Sequence, residues 1–144
     1  MDKTISAKKI GVMLGVGTGL EYYDFIIYGL LSSYISHAFF PNDVAWVASL
    51  NTLLVFALGY VARPFGAVFF GLFSDLISPS KTLLFTMFIM GISSFAIALV
   101  PSYDAIGTAA PVLLCILRVL QGMAVGAEIP NSLSYLDNQS SSAN

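Results

Sequence analysis

Glu21, Asp24, Arg63, Arg118 and Glu128 lie inside long apolar stretches of a chain that has only 8 acidic and 6 basic residues. A charge at the centre of a bilayer-spanning helix costs roughly 2.5–3.5 kcal/mol, so five lipid-facing charges would cost on the order of 12–18 kcal/mol. They are therefore expected to face protein or a watery cavity. Glu21 and Asp24 are three residues apart and share one face of a helix. Two carboxylates in a dry site repel each other, which favours a held proton, the property a proton carrier needs. Glu128 is a third candidate for proton coupling. The alternative for these carboxylates is static pairing with Arg63 or Arg118, which would hold helices in register. Arg118 and Gln121 are again three apart, offering a forked cation and an amide to an anionic solute or to a carboxylate partner. Tyr28, with Tyr22, Tyr23 and Phe25 around it, has a hydroxyl that could line a solute path, or a ring that simply packs.

The elements that must position these groups are membrane helices. The composition is 57% hydrophobic and 10% charged, with a mean hydropathy of +0.84, far from the quarter or so of charged residues usual in soluble domains. The net charge of −2 leaves no basic footprint for nucleic acid. Cys115 is the single cysteine, which excludes an internal disulfide and a thiolate cluster, and no cofactor or metal site is expected. The partners implied are the lipid bilayer, a small solute and the proton.

Runs of about twenty apolar residues predict an all-α membrane protein with four spans, at about 10–40, 44–77, 82–100 and 105–136. They are flanked by an amino-terminal segment, 1–9, and a polar tail, 137–144. Short turns join them at Pro41-Asn42-Asp43, Ser78-Pro79-Ser80-Lys81 and Pro101-Ser102-Tyr103-Asp104. The second span contains Pro64 but is too short on either side of it to make two crossings, so it reads as one helix kinked near the proline. Lys8 and Lys9 ahead of an apolar run resemble a secretion signal, yet Glu21 and Asp24 interrupt that run where a signal core is purely apolar. Lys3, Lys8, Lys9 and Lys81 put both termini and the second turn in the cytoplasm, with the Asp43 and Asp104 turns outside.

Gly11, Gly15 and Gly19 recur every four residues, as do Gly122 and Gly126. Both sets predict faces where another helix approaches closely. Gly15-Val16-Gly17 superficially matches a phosphate-binding turn, but no strand precedes it. His37, near the end of the first span, reads as an interfacial hydrogen-bonding residue.

These residues stand in an order that resembles the amino-terminal third of the metabolite:proton symporter family, within the major facilitator superfamily. The resemblance rests on Gly19-Leu20-Glu21-Tyr22-Tyr23-Asp24-Phe25-Ile26-Ile27-Tyr28-Gly29, then Arg63-Pro64-Phe65-Gly66-Ala67, then Gly71-Leu72-Phe73-Ser74-Asp75. It continues through Leu117-Arg118-Val119-Leu120-Gln121-Gly122 and Gly126-Ala127-Glu128-Ile129-Pro130. It implies helices 1–4 of a twelve-helix transporter that works by alternating access in a bacterial inner membrane, not an enzyme. Asp24 or Glu21 would take the proton, and Arg63 or Arg118 would steady an anionic solute such as an organic acid. The family's cytoplasmic gating motif follows its second helix. Gly71 and Asp75 retain its start, but Leu76, Ser78, Pro79 and Ser80 replace its Arg, Gly, Arg and Lys, leaving Lys81 as the one basic residue near Asp75.

The resemblance thus implies a truncated or split proton-coupled symporter of organic acids or osmolytes, inactive alone, whose missing helices lie on another chain. The competing expectations are an autonomous four-helix protein that forms a homo-oligomeric small transporter or channel, and a structural subunit whose buried charges pair statically.

Overall fold

The computed structural model describes residues 7–41 and 45–128. The segment 1–6, the turn at 42–44, the end of the fourth predicted span (129–136) and the tail 137–144 lie outside the described residues. Every element within them is helical: α1 (Ala7–Leu30), α2 (Ser32–Phe39), α3 (Ala45–Leu76), α4 (Pro79–Leu99), α5 (Tyr103–Ile106) and α6 (Ala109–Gly126).

α1 and α2 are separated by Leu31 alone. The Leu31 amide donates to the Ile27 carbonyl and the Leu31 carbonyl accepts from the Ile35 amide, both at 2.8 Å. Only Leu31, at φ −87° and ψ 3°, leaves the helical range. α3 is a single helix of 32 residues with Pro64 inside it. Pro64 has no amide to donate to the carbonyl four residues back. α4 starts where Ser78 caps it, its hydroxyl accepting from the Lys81 amide at 3.3 Å, with Pro79 in the first turn. This is the arrangement that the Ser-Pro pair favours, because proline needs no amide donor there.

The fourth span departs from expectation at its start. A continuous helix from residue 105 is replaced by the short α5 and a break, because Gly107 has φ +61°, a conformation that side-chain-bearing residues rarely adopt. The long helix begins only at Ala109.

Three helices are long and apolar enough to cross a membrane: Trp46–Leu76, Lys81–Leu99 and Ala109–Gly126. α1 has the length, 24 residues, and carries Glu21, Tyr22, Tyr23 and Asp24 in its second half. Where the sequence predicts four spans, three helices among the described residues thus meet that standard by themselves.

The packing centre is α6, which lies against α3 and α4. Its Ala110 and Leu114 are fully buried and join Tyr28, Ile35, Phe39 and Val55 in an apolar cluster at the α2 end of the bundle. α3 and α6 come together backbone to backbone. A Cβ on Gly122 would strike the Gly59 carbonyl, one on Gly126 the Arg63 carbonyl, and one on Gly66 the Met123 backbone. Among the described residues, α1 approaches α3, α4 and α6 closely at few points, and long side chains reach across to them. Outward-facing side chains such as Leu30, Leu76 and Phe88 are largely exposed, the apolar coat that lipid or further helices would cover.

One of the groups that reach across is Tyr28. Its hydroxyl donates to the Thr52 carbonyl on α3 at 3.1 Å, while its ring stacks on Phe56 with centroids 5.2 Å apart. That carbonyl also lies within a helix. Tyr28→Phe is therefore expected to lower stability only at the small end of the usual 0.5–1.5 kcal/mol, about 0.5 kcal/mol, as a small shift in the denaturation midpoint in micelles. A loss several times larger would mean that the hydroxyl holds more than this one bond.

Candidate functional site

α1 carries its two carboxylates at positions 21 and 24, one turn apart on one face, and each meets an arginine from a different helix. Arg63 on α3 pairs with Glu21, Nη1 to Oε1 at 2.6 Å. Arg118 on α6 pairs with Asp24, Nη1 to Oδ2 at 2.8 Å. The two pairs differ in burial. The Arg118 side chain is 8% exposed, against 30% for Arg63.

Arg118 is the hub of the site. Its Nη1 also donates to Gln121 Oε1 at 2.8 Å, and Gln121 Nε2 passes the chain on to Ser94 Oγ on α4 at 2.7 Å. The guanidinium carbon sits 3.8 Å from the centroid of the Tyr28 ring, a cation–π contact that partly replaces lost hydration. Arg63 stands similarly over Tyr60, at 4.2 Å. Helices α1, α3, α4 and α6 thus converge on one polar cluster. Among the described residues, the buried Nε atoms of both arginines have no hydrogen-bond partner.

The two ion pairs, Gln121, Phe56 and Tyr60 line a cavity of about 30 Å³. That is room for a water or two, not for a metabolite. A second cavity, about 450 Å³, lies between α1 and α4. Its wall is mostly apolar, with Leu20, Met87 and Gly91, but Asp24, Ser94 and Glu128 also face it.

The remaining sequence candidates fall into two groups. Glu128 is buried at the end of α6 against Gly17, and its Oε1 has no partner among the described residues. It faces the same cavity as Asp24 and makes no ion pair among the described residues. Gly122 and Gly126 form the close crossing with α3. By contrast, Gly15, Gly19 and Gly71 have open space where a Cβ would sit. Gly11 lies on the α1 backbone. Among the described residues, the expected close contact is not made at Gly15 and Gly19, because α1 turns its Gly17 side toward Glu128 and Met87. Asp75 and Lys81 are both exposed and form no ion pair among the described residues. The Lys81 backbone amide donates to the Ser78 hydroxyl at the start of α4.

Four contributors escape the sequence reading. Ser94 gives no signal beyond being polar in an apolar helix, and Tyr60 none beyond lying one turn before Arg63. Gly59 and Gly66 are seven residues apart, two helical turns, and bracket Arg63, which is a legible packing signal in retrospect.

Residues 11–143 match the family model for sugar (and other) transporters. The chain belongs to that family. The resemblance to the amino-terminal part of major facilitator transporters is thereby borne out. Among curated relatives of this family, a citrate-proton symporter of Klebsiella pneumoniae is 39% identical over 138 residues, covering 94% of this chain and 31% of the relative. A putative proline/betaine transporter of Staphylococcus aureus (strain COL) is 37% identical, covering 93% and 29%. The alpha-ketoglutarate permease of Escherichia coli (strain K12) is 37% identical, covering 90% and 30%. The chain thus spans about 30% of the length of the family members it matches. No solved structure matches it.

Proposed function

We propose that this chain is the amino-terminal portion of a proton-coupled secondary transporter of small organic metabolites, completed by helices on further polypeptide. The observation that carries the reading is the Asp24–Arg118 pair. It joins a carboxylate to a guanidinium among apolar helices, and it is tied through Gln121 to a third helix. A carboxylate held this way can exchange its arginine partner for a proton. Protonation neutralises Asp24, releases Arg118 to an anionic solute, and loosens the tie between α1 and α6. That is a bistable contact of the kind alternating access needs.

In this reading α1 is a fourth span. Its charged face is turned toward the arginines, and its apolar faces meet lipid or other helices, so it crosses although its mean apolar character is modest. The membrane would be the bacterial inner membrane with both termini cytoplasmic, as the lysine distribution favours. Glu128 would be a further proton-binding carboxylate, buried without a cation beside it. The open faces at Gly15 and Gly19 would receive helices that this chain does not contain. The relatives named as symporters of citrate and transporters of proline or betaine support the class of solute, not its identity.

The test is replacement. This chain should take the place of the matching amino-terminal segment of the Klebsiella pneumoniae citrate-proton symporter and sustain proton-driven citrate uptake in liposomes. Asp24→Asn in that chimera should reduce uptake to background, because a neutral amide cannot trade a proton for the arginine. Unimpaired coupled uptake by Asp24→Asn would remove Asp24 from the mechanism. Robust uptake by this chain alone would favour an autonomous oligomeric transporter.

A further inference from the structure

We propose that the groove between α1 and α4 receives a membrane helix of the completing polypeptide, and that this helix carries a basic residue that pairs with Glu128. This rests on the reading of the chain as part of a larger transporter, and names the surface and the charge by which the rest of it joins.

Glu128 sets the requirement. It is 8% exposed, it faces the groove, and its Oε1 is buried with no hydrogen-bond partner among the described residues. The same oxygen occupies the space where a Cβ on Gly17 would sit, beside Met87. Gly17 lies ten residues into α1 and Met87 eight residues into α4, about 15 and 12 Å of rise. Glu128 is thus held near the middle of a hydrocarbon core about 30 Å thick. An ionised carboxylate at that depth is strongly unfavourable without a cation.

The chain's own cations are committed or at the wrong level. Of its 6 basic residues, Arg63 and Arg118 are already held by Glu21 and Asp24. Lys8 and Lys9 lie in the first turn of α1 and Lys81 in the first turn of α4, at least six residues, or about 9 Å of rise, short of the level of Glu128. Lys3 precedes α1, and residues 129–144 contain no Lys or Arg. A second copy of the chain would bring the same set, so charge complementarity calls for a different polypeptide. Asp24, on the same groove, makes no such demand because Arg118 holds it.

The shape of the groove selects a helix as the carrier of that cation. On α1 its wall is Val12, Val16, Leu20 and Tyr23, spaced four, four and three residues apart, which is one helix face over about three turns. On α4 the wall includes Met87, Gly91 and Ser94, spaced four and three. Two such stripes side by side form the seam into which a third helix packs its own side chains. The four α1 residues are each more than half exposed, so the groove is open along its length, whereas a small-molecule pocket encloses most of its ligand. Gly91 on α4 and Gly19 on α1, four residues before Tyr23, both have open space where a Cβ would sit. Smooth positions of this kind let a helix backbone approach closely. A lipid chain would match the apolar walls but would set hydrocarbon against the carboxylate.

The experiment uses the whole chain, fluorescently labelled, in lipid vesicles with synthetic leucine–alanine helices of about twenty residues that carry Lys, Leu or Glu at the central position. Energy transfer between chain and helix, titrated against helix density, reads the affinity. The Lys helix should associate about tenfold more tightly than the Leu helix, and the Glu helix more weakly than either. Glu128→Gln, nearly the same shape without the charge, should erase the advantage of Lys over Leu. Gly91→Leu fills the groove without a clash inside the chain and should weaken the Lys helix about tenfold. Gly71→Leu, equally open but on α3, should leave it unchanged. Equal association of the Lys and Leu helices, or a Lys advantage that survives Glu128→Gln, would overturn the pairing. Gly91→Leu having no more effect than Gly71→Leu would overturn the groove as the docking surface. Transfer between two differently labelled copies of this chain that the Lys helix does not displace would overturn it in favour of a second copy. None of these readouts involves transport, so citrate uptake by the chimera decides the broader transporter reading independently.

Discussion

Arg118→Met is expected to destabilise the bundle by about 3–5 kcal/mol, the usual cost of leaving a buried charge without its counterion. The figure belongs toward the lower end, because Asp24 is about a quarter exposed and can recover some solvation. Loss of the guanidinium has two further effects. Gln121 Oε1 loses its donor, and the Tyr28 ring loses the cation lying on it. A denaturant titration in mixed micelles, followed by circular dichroism, measures the sum. The decisive comparison is the double variant. Arg118→Met with Asp24→Asn removes the stranded charge, so it should be more stable than Arg118→Met alone, with a coupling of roughly 1–3 kcal/mol. Strict additivity of the two changes would mean that the pair contributes no mutual stabilisation. Arg63→Met should cost less, since both members of the Glu21–Arg63 pair are more open.

The difference between these two arginines marks the limit of what the sequence discloses. That Arg63 and Arg118 must face carboxylates follows from the cost of charge in an apolar helix. Which carboxylate each one meets does not follow, because the choice depends on how α3 and α6 cross. Gly59, Gly66, Gly122 and Gly126 set that crossing. The same four-residue glycine spacing occurs at Gly15 and Gly19, where a Cβ would meet nothing among the described residues. Spacing reports that a face is smooth enough for contact, and is silent on whether the partner helix is present. Pro64 and Gly107 make the complementary point. A proline inside a long apolar run leaves α3 unbroken, whereas one glycine with positive φ separates α5 from α6. The residue types alone rank these two in the opposite order.

Gly122→Leu should be the most damaging substitution at a site with no chemistry of its own. Its first added carbon already meets the Gly59 carbonyl, which is backbone and cannot swing aside. The helices must therefore separate. Separation also opens the neighbouring contacts, at Gly126 with the Arg63 backbone and at Gly66 with Met123. Overpacking ordinarily costs about 1–3 kcal/mol, and three contacts that give way together put this change at or above the top of that range. It should also pull Arg118, one turn before Gly122 on α6, away from Asp24, so the polar cluster loosens even though none of its members is altered. The local term has the opposite sign. Replacing glycine by leucine in a helix is favourable by several tenths of a kcal/mol, so helical content should hold or rise while the denaturation midpoint falls. Spin labels on the outer faces of α3 and α6 should report a longer separation in the variant. Gly15→Leu supplies the contrast, with open space at its Cβ and thus no loss expected in the chain by itself. Equal tolerance at positions 15 and 122 would contradict the close α3–α6 crossing, and with it the reason that Arg118 stands where Asp24 can reach it.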